Sequence, residues 1–154
     1  MPSYSFKSSG KTSVQIQSEI QPVTYVPIGI KTPLRLDDKE LFAMHYNNSD
    51  QIHDNLRNLI LTNWGERLGF YFFGANLREL TTELSSLDSF DNAAIERIRD
   101  AVTTWMPYVS LGNFSSNFDR EENKNVSILK IMITYSVAQL QIENKMLQIS
   151  LYVI

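Results

Sequence analysis

Residues 129–137 read LKIMITYSV, and the pattern of this stretch fixes most of the predicted fold. Its odd positions are apolar or aromatic, whereas several even positions are polar, as at Lys130 and Thr134. In a β-strand, neighbouring side chains point to opposite faces of the sheet, so apolar residues at every second position share one face. We therefore expect a β-strand over residues 126–137 that buries one face in a hydrophobic core.

Two further strands are predicted by the same alternation. On the C-terminal side, residues 146–154 read MLQISLYVI and are expected to follow a loop near residues 143–145. On the N-terminal side, residues 109–118 indicate a strand that is interrupted near Gly112. Strands joined by short connections pair antiparallel, so the prediction is a three-stranded antiparallel sheet.

The last predicted strand is a candidate for pairing with another protein. It continues to the end of the sequence without a charged tail, and charges at an edge are one means by which proteins prevent such pairing. We expect its edge to offer unpaired N–H and C=O groups to a partner strand. The alternative is that this strand lies in the middle of the sheet.

Upstream of the strands, two stretches have the period of a helix. Over residues 50–63, apolar side chains recur three and four positions apart, and Ser49 or Asp50 can cap the start. Residues 91–105 keep the same spacing until Pro107 stops the helix. The predicted fold class is α+β, with two main helices packed on one face of the sheet.

Between the two helices lies a loop rich in aromatic residues. Glycines interrupt the helical pattern over residues 65–74, and residues 70–73 read FYFF. Aromatic side chains in a loop bury large areas only if they pack on a neighbouring element, so we expect this loop to rest on the domain. A short helix over residues 76–84 is predicted to follow it.

The chain is predicted to be one domain preceded by an extended arm. Residues 1–30 are polar and interrupted by prolines, so no regular helix can run through them. We interpret residues 1–30 as an extended N-terminal arm, with a flexible tail as the alternative. Residues 31–154 then form the single folded domain.

The composition excludes several function classes. Of the 154 residues, 43% are hydrophobic and 20% are charged, which is typical of a folded soluble domain. The formal net charge of -3 is unlike that of a protein that neutralises many phosphates. No apolar run approaches the length of about 20 residues that a membrane span needs, and no signal peptide is recognisable. We expect no nucleic-acid partner, no membrane partner and synthesis in the cytoplasm.

Residues suited to catalysis or cofactor binding form no recognisable pattern. Cysteine is absent, no Gly-rich phosphate loop occurs, and His45 and His53 are expected to be ordinary polar side chains. We expect no metal, no cofactor and no catalytic residue. The alternative is a cell-wall glycosidase, because Glu66, Glu79 and Glu83 lie near the aromatic loop and glycoside hydrolysis uses two carboxylates.

One segment resembles a known family. Residues 55–67 read NLRNLILTNWGER and residues 73–80 read FGANLREL. This order of an N-L-R-x-L-L-x-T helix, a Gly-Glu-Arg turn, a Phe-Gly pair and a short apolar helix is similar to that of the baseplate wedge, lysozyme-like family of T-even-type myophages. That family includes the small baseplate component of type VI secretion systems. Residues 27–34 also resemble the lead-in of marine members, so the resemblance covers about residues 27–154.

The sequence departs from the family pattern at two places. The loop at residues 70–73 lacks the proline that many relatives carry before Phe-Gly. The corner after the second helix reads Met106-Pro107-Tyr108, where relatives often have Glu-Pro-Arg. The resemblance implies that this corner contacts baseplate wedge proteins, and we expect the contact to be apolar or aromatic in this chain.

The resemblance implies a sheath initiator, which is a structural subunit in the baseplate of a contractile phage tail. Such a subunit is present in the virion in several copies around the tail axis, and its partners are baseplate wedge proteins and the tail sheath protein. It is expected to pair its strands with those of the sheath and to have no enzymatic activity. The alternatives are a peptidoglycan-cleaving tail lysozyme and a host-regulator adaptor, since a bacterial anti-adaptor shares this fold by resemblance.

The predicted interfaces follow from this interpretation. The sheath-facing template is expected on strands 126–137 and 146–154, at Ile131, Ile133, Ile149, Leu151 and Val153. The surface for wedge partners is expected on residues 65–74 and 105–108, at Glu66, Arg67, Phe72, Met106, Pro107 and Tyr108. For the aromatic members of this second set, the alternative is packing in the core.

Overall fold

The structure is a computed structural model, and it describes residues 26–38, 41–82, 87–120 and 127–153. Most of the predicted arm, residues 1–25, lies outside the described residues, as do Glu83 and Ile154. In the part of the chain that is described, no helix is both long and apolar enough to cross a bilayer.

The described residues form an α+β fold, as predicted. In chain order the elements are β1 (Gly29–Ile30), β2 (Met44–His45), α1 (Asn48–Leu61), α2 (Leu77–Thr82), α3 (Leu87–Trp105), β3 (Ser110–Arg120), β4 (Ser127–Val137), a 3-10 turn (Ala138–Leu140) and β5 (Ile142–Val153). The two long helices and the short helix α2 lie at or close to the positions that the hydrophobic period predicts.

The main sheet has the order β3-β4-β5, and both pairs are antiparallel. Strand β4 is therefore paired on both sides, while β3 and β5 are the edges of the sheet among the described residues. The register of β3 against β4 shifts between Leu111 and Phe114, which is where Gly112 predicts an interruption. The predicted sheet and its interruption are confirmed.

The core lies between one face of this sheet and the helices α1 and α3. Its fully buried side chains include Leu129, Ile131, Ile133, Leu147 and Ile149 from the strands and Leu56, Leu59, Ile60 and Ile98 from the helices. These are the positions that period two predicts in the strands and that spacings of three and four predict in the helices. The packing of two main helices on one face of the sheet is confirmed.

The connection between β4 and β5 lies a few residues before its predicted position. The chain turns through Ala138–Leu140 and closes at Gln141, which has a left-handed φ of 54°. Strand β5 then begins at Ile142, so residues 143–145, predicted to be the loop, belong to the strand. The register shifts between Tyr135 and Val137, because β5 has one residue more than β4 over this stretch. The result is a bulge, within which Asn144 has φ 48°.

The start of α1 also differs from the prediction. Asn47 is the cap, because its side-chain oxygen accepts a hydrogen bond from the backbone N–H of Ser49 at 2.9 Å. Ser49 and Asp50 lie inside the helix, where both bind the ammonium group of Lys145 on β5, at 3.0 Å and 3.1 Å. The two residues predicted to cap α1 instead connect it to the sheet.

A small second sheet was not predicted. Gly29–Ile30, the last two residues of the predicted arm, pair antiparallel with Met44–His45. The carboxylate of Asp54 on α1 accepts a hydrogen bond from the backbone N–H of Thr32 at 2.9 Å and lies 2.7 Å from Nε2 of His45. The segment before α1 is therefore attached to the domain by polar contacts.

Candidate interaction surfaces

The loop between α1 and α2, residues 62–76, is shaped by glycines and is called the aromatic loop below. Gly65, Gly69 and Gly74 have positive φ values of 81°, 81° and 108°. At Gly74 a Cβ atom would collide with the backbone carbonyl of Thr62, so only glycine fits there. The backbone N–H of Gly65 donates to the carbonyl of Tyr71 at 2.8 Å, which closes the loop.

Glu66 holds the first turn of the aromatic loop. Its carboxylate accepts hydrogen bonds from the side chain of Asn63 at 2.9 Å and from the backbone N–H of Asn63 at 2.7 Å. These two hydrogen bonds hold the pKa of Glu66 below its ordinary value. A glycosidase acid needs a raised pKa, so the surroundings of Glu66 are those of a structural carboxylate.

Glu79, the second predicted candidate acid, also has local partners. Its carboxylate accepts hydrogen bonds from Asn76 at 2.7 Å and from Arg97 on α3 at 2.8 Å. The ion pair links the start of α2 to α3. Glu83, the third candidate, lies outside the described residues.

The inner part of the aromatic loop packs on the end of α3, as predicted for a loop of this composition. Phe73 lies between the guanidinium group of Arg67, 4.1 Å from its ring centroid, and the indole of Trp105, 5.1 Å away. Phe70 meets Trp105 edge to face at 5.6 Å. Arg67 is thus occupied in stacking within the loop.

The outer part of the loop leaves large apolar side chains in solvent. We call this set the aromatic surface, and it consists of Trp64, Leu68, Phe70, Tyr71 and Phe72. Leu68 is fully exposed and Phe72 is 68% exposed. Phe72 contacts the rings of Trp64 and Tyr71 edge to face, at 5.6 Å and 5.0 Å. Large exposed apolar side chains that lie together on a folded domain are typical of interaction sites, so the aromatic surface is a candidate contact.

A cleft of about 280 Å³ borders the aromatic surface. Trp64 and Phe72 form one wall, and Trp105, Arg97 and Thr104 of α3 are among the residues of the other. The guanidinium group of Arg97 lies 5.7 Å from the ring centroid of Trp64. Of these residues, Phe72 was predicted at an interface and Trp105 lies in the segment 105–108 that was expected to face a wedge protein. The density of aromatic residues in the sequence was the available signal for Trp64.

The corner after α3 is only partly available to a partner. Met106 is buried, with 5% of its surface exposed, which corrects the prediction that its side chain contacts a wedge protein. The reason is that its backbone N–H still bonds to Val102 at 2.8 Å, so the last helical turn directs the side chain into the core. Pro107 and Tyr108 are exposed. Tyr108 borders a different cleft from Phe72, whereas Trp105, before the corner, packs against Phe70 and Phe73 of the aromatic loop.

The predicted sheath-facing side chains also need correction. Ile131, Ile133 and Ile149 are at most 2% exposed and face the helices, and β4 is already paired on both sides. Strict alternation identifies the buried face of a strand, so the side chains selected by that pattern are the least accessible ones. Leu151 is half-buried, and for Val153 only the backbone is described, where it pairs with Ser127.

Strand β5 retains an edge on which a partner strand can be added. The strand has 12 residues, and its ladder with β4 lies on one side only. Within the described ranges, no backbone hydrogen bond is made to its other side. Alternate N–H and C=O groups along an edge strand point away from the sheet, which is the geometry used in strand addition.

Comparison with known proteins identifies structural relatives. No protein-family profile matches the sequence, and no curated protein matches it significantly. A chain from the six-fold symmetrised baseplate of the anti-feeding prophage superposes with a TM-score of 0.57 and 20% identity, over 71% of this chain and 83% of that one. A Geobacter sulfurreducens protein provisionally named a tail lysozyme superposes with a TM-score of 0.52 and 19% identity, over 69% of this chain and 89% of that one. The chain therefore shares their fold.

Proposed function

We propose that this chain is a structural subunit of a contractile-tail baseplate that initiates assembly of the tail sheath by pairing strands between subunits. The observation that carries the proposal is the fold shared with a chain of the anti-feeding prophage baseplate, over 71% of the sequence. The family-like pattern of residues 55–80 supports the same function. The subunit would be part of the virion, in several copies around the tail axis.

Strand β5 is the element proposed to contact the sheath protein. Each main-chain hydrogen bond to an added strand contributes about 1 kcal/mol net, and a strand of 12 residues offers several of them. The helices already cover the inner face of the sheet, so pairing at the edge requires no rearrangement of the core. A tensile load could then pass between subunits through the backbone of β5.

The aromatic surface is proposed to contact a neighbouring wedge protein. Its rings are held on a loop that Glu66 and Arg67 shape, so they lose little conformational freedom on binding. Exposed aromatic side chains are the residues that most often dominate binding energy at interfaces. On this proposal Phe72, Trp64 and Tyr71 make the contact, whereas Glu66 and Arg67 position them.

A cryo-EM map of the intact tail would test the proposal directly. We expect this chain at the baseplate, with β5 continuous with a strand of the first ring of sheath subunits. We also expect the aromatic surface to be covered by a wedge protein. A map in which the edge of β5 faces solvent would contradict the initiator function, and a position away from the baseplate would contradict the structural function as a whole.

Peptidoglycan cleavage is the second function that the comparisons raise, through the name of the Geobacter sulfurreducens protein. We propose that this chain does not carry it out, because Glu66 has a lowered pKa and Glu79 is paired with Arg97. The test is incubation of the purified chain with peptidoglycan, beside the variants Glu66→Gln, Glu79→Gln and Glu83→Gln. Release of sugar fragments by the unmodified chain, abolished in one variant, would establish a hydrolase.

A further inference from the structure

A cleft of about 330 Å³ lies at the C-terminal end of β5, where three consecutive residues form one wall. These residues are Ser150, Leu151 and Tyr152. The lining includes residues of β5 and of the helices but none of β4, which places the cleft at the side of β5 away from β4. Because β4 occupies one edge of β5, this is the edge on which a partner strand would be added.

The opposite wall of this cleft, called the edge cleft below, is largely apolar. It consists of residues from the end of α1 and from α2, among them Ile60, Leu61, Leu77 and Thr81. Ile60 and Leu77 are fully buried beneath it, whereas Leu61 is 36% exposed. A side chain of an added strand that points towards the helices would enter this cleft, and its lining favours an apolar side chain.

Arg78 supplies a positive charge beside the edge cleft. Its backbone N–H donates to the side chain of Asn63 at 3.2 Å. Its guanidinium group makes no hydrogen bond or ion pair within the described part of the chain, and the residue is exposed. Arg97, by comparison, is engaged with Glu79 and with the carbonyl of Asn76. The charge of Arg78 helps to lower the pKa of the nearby Glu66, but the two make no ion pair, so the guanidinium N–H groups of Arg78 can bind a carboxylate of a partner.

We propose that the edge cleft selects the strand that pairs with β5, by accepting one apolar side chain of that strand while Arg78 binds an acidic residue close to it. The inference rests on the proposed strand pairing with the sheath protein and specifies the chemistry of the partner segment. The main-chain hydrogen bonds supply affinity without regard to sequence, whereas the cleft and Arg78 fix the register.

The test uses the full-length chain and a set of peptides that tile the sheath protein of the same virion. Hydrogen exchange locates the bound strand, and fluorescence anisotropy measures affinity. We expect the tightest-binding peptides to protect the amides of residues 147–153 and to combine an apolar residue with a nearby Asp or Glu. Replacing that acidic residue by Lys should weaken binding about tenfold.

Variants of this chain test the two recognition elements separately. Arg78→Glu should weaken the tightest peptide about tenfold and favour its Lys-substituted form. Arg99→Glu is the matched control, because Arg99 is exposed on α3, does not line the edge cleft and undergoes the same change in charge. Thr81→Trp fills the cleft from the helix side. Leu61→Trp fills it from a partly exposed position at the end of α1, and it replaces Thr81→Trp if that variant fails to fold.

The outcomes separate this inference from the proposed function. If peptides protect β5 but bind Arg78→Glu and the filled variants as tightly as the unmodified chain, the selective cleft is refuted and strand pairing stands. If neither peptides nor intact sheath protein protect β5, both are refuted. Protection that rises with the concentration of the chain alone would assign the edge to a second copy. Protection of β5 in the chain alone, at every concentration of the chain, would show that the chain's own residues cover this edge. Either of these last two results overturns the inference.

Discussion

Nε2 of His45 lies 2.7 Å from Oδ2 of Asp54, and both side chains are buried. The pair joins β2 to α1, and the same carboxylate oxygen accepts the backbone N–H of Thr32. Burial by itself would raise the pKa of Asp54, but the hydrogen bonds from Thr32 and His45 hold it below the ordinary value of 3.8. One carboxylate thus connects the segment before α1 to the domain.

Asp54→Ala is expected to release this segment. Loss of hydrogen bonds to a charged group should lower the free energy of unfolding by about 2 kcal/mol. We expect faster hydrogen exchange of residues 29–32 and 43–45, measured by mass spectrometry. Asp100→Ala, at an exposed position on α3, is the control and should leave that exchange unchanged. Equal exchange in both variants would show that Asp54 does not hold the segment.

The same pair makes stability depend on acid pH. A carboxyl whose folded pKa is lowered contributes stability that is fully present above its unfolded pKa and is lost as pH falls through the folded value. The difference in unfolding free energy between the unmodified chain and Asp54→Asn should therefore shrink below pH 3.8. Urea unfolding of both proteins over a series of acid pH values measures this difference. A difference that does not change with pH would show that the pKa of Asp54 is not lowered by folding.

Tyr135 gives the opposite dependence at alkaline pH. Its hydroxyl lies 3.0 Å from Nδ1 of His53, and burial, with a smaller effect of Asp50, raises the pKa of Tyr135 to about 12. A group with a raised folded pKa contributes stability below its unfolded value of 10.0, and this is lost as pH rises towards about 12. Tyr135→Phe should cost about 1 kcal/mol at neutral pH and flatten the alkaline loss.

The control for this prediction is Tyr152→Phe, because the side chain of Tyr152 is 68% exposed. It should change neither the neutral stability nor its loss at alkaline pH. Urea unfolding at stepped pH values between neutrality and pH 12 gives the three curves, and identical alkaline slopes for the two variants would contradict the assigned pKa of Tyr135.

Gly74 and Gly69 form a matched pair for testing the aromatic loop. Both have positive φ, but a Cβ at Gly74 would meet the carbonyl of Thr62, whereas the space at Gly69 is open. Gly69→Ala should cost about 1 kcal/mol from backbone strain alone. Gly74→Ala should cost more than about 2 kcal/mol, because the collision adds to the strain. Equal shifts of the urea unfolding midpoint in the two variants would show that a Cβ at position 74 does not collide with the carbonyl of Thr62.

Substitutions at the neighbouring residues Phe73 and Phe72 distinguish an effect on stability from an effect on partner binding. Phe73 packs between Arg67 and Trp105, so Phe73→Ala should lower the unfolding free energy by about 2 kcal/mol. Phe72→Ala should change it by less than about 0.5 kcal/mol, because the ring is 68% exposed. In a pull-down with baseplate wedge proteins, Phe72→Ala should lose binding. Unimpaired binding would remove Phe72 from the proposed contact.

Much of the fold was predictable because its signals are local. The alternation over residues 129–137 specifies β4 and its buried face, and the glycine at position 112 marks the bulge opposite it. Strands β1 and β2 were missed because each has two residues, too few to show any period. The sequence predicted Ser49 or Asp50 as the cap of α1, and only the backbone geometry identifies Asn47.

The interfaces were less predictable than the elements that carry them. The sequence established which segments alternate, that they form a sheet under two helices, and that an aromatic loop lies beside them. It could not show that β4 is central and β5 an edge, since alternation has the same form in both positions. It also could not distinguish Phe72, which is exposed, from Phe73, which packs on Trp105. Hydrophobic period depends on near neighbours along the chain, whereas strand order and exposure depend on contacts between residues far apart in sequence.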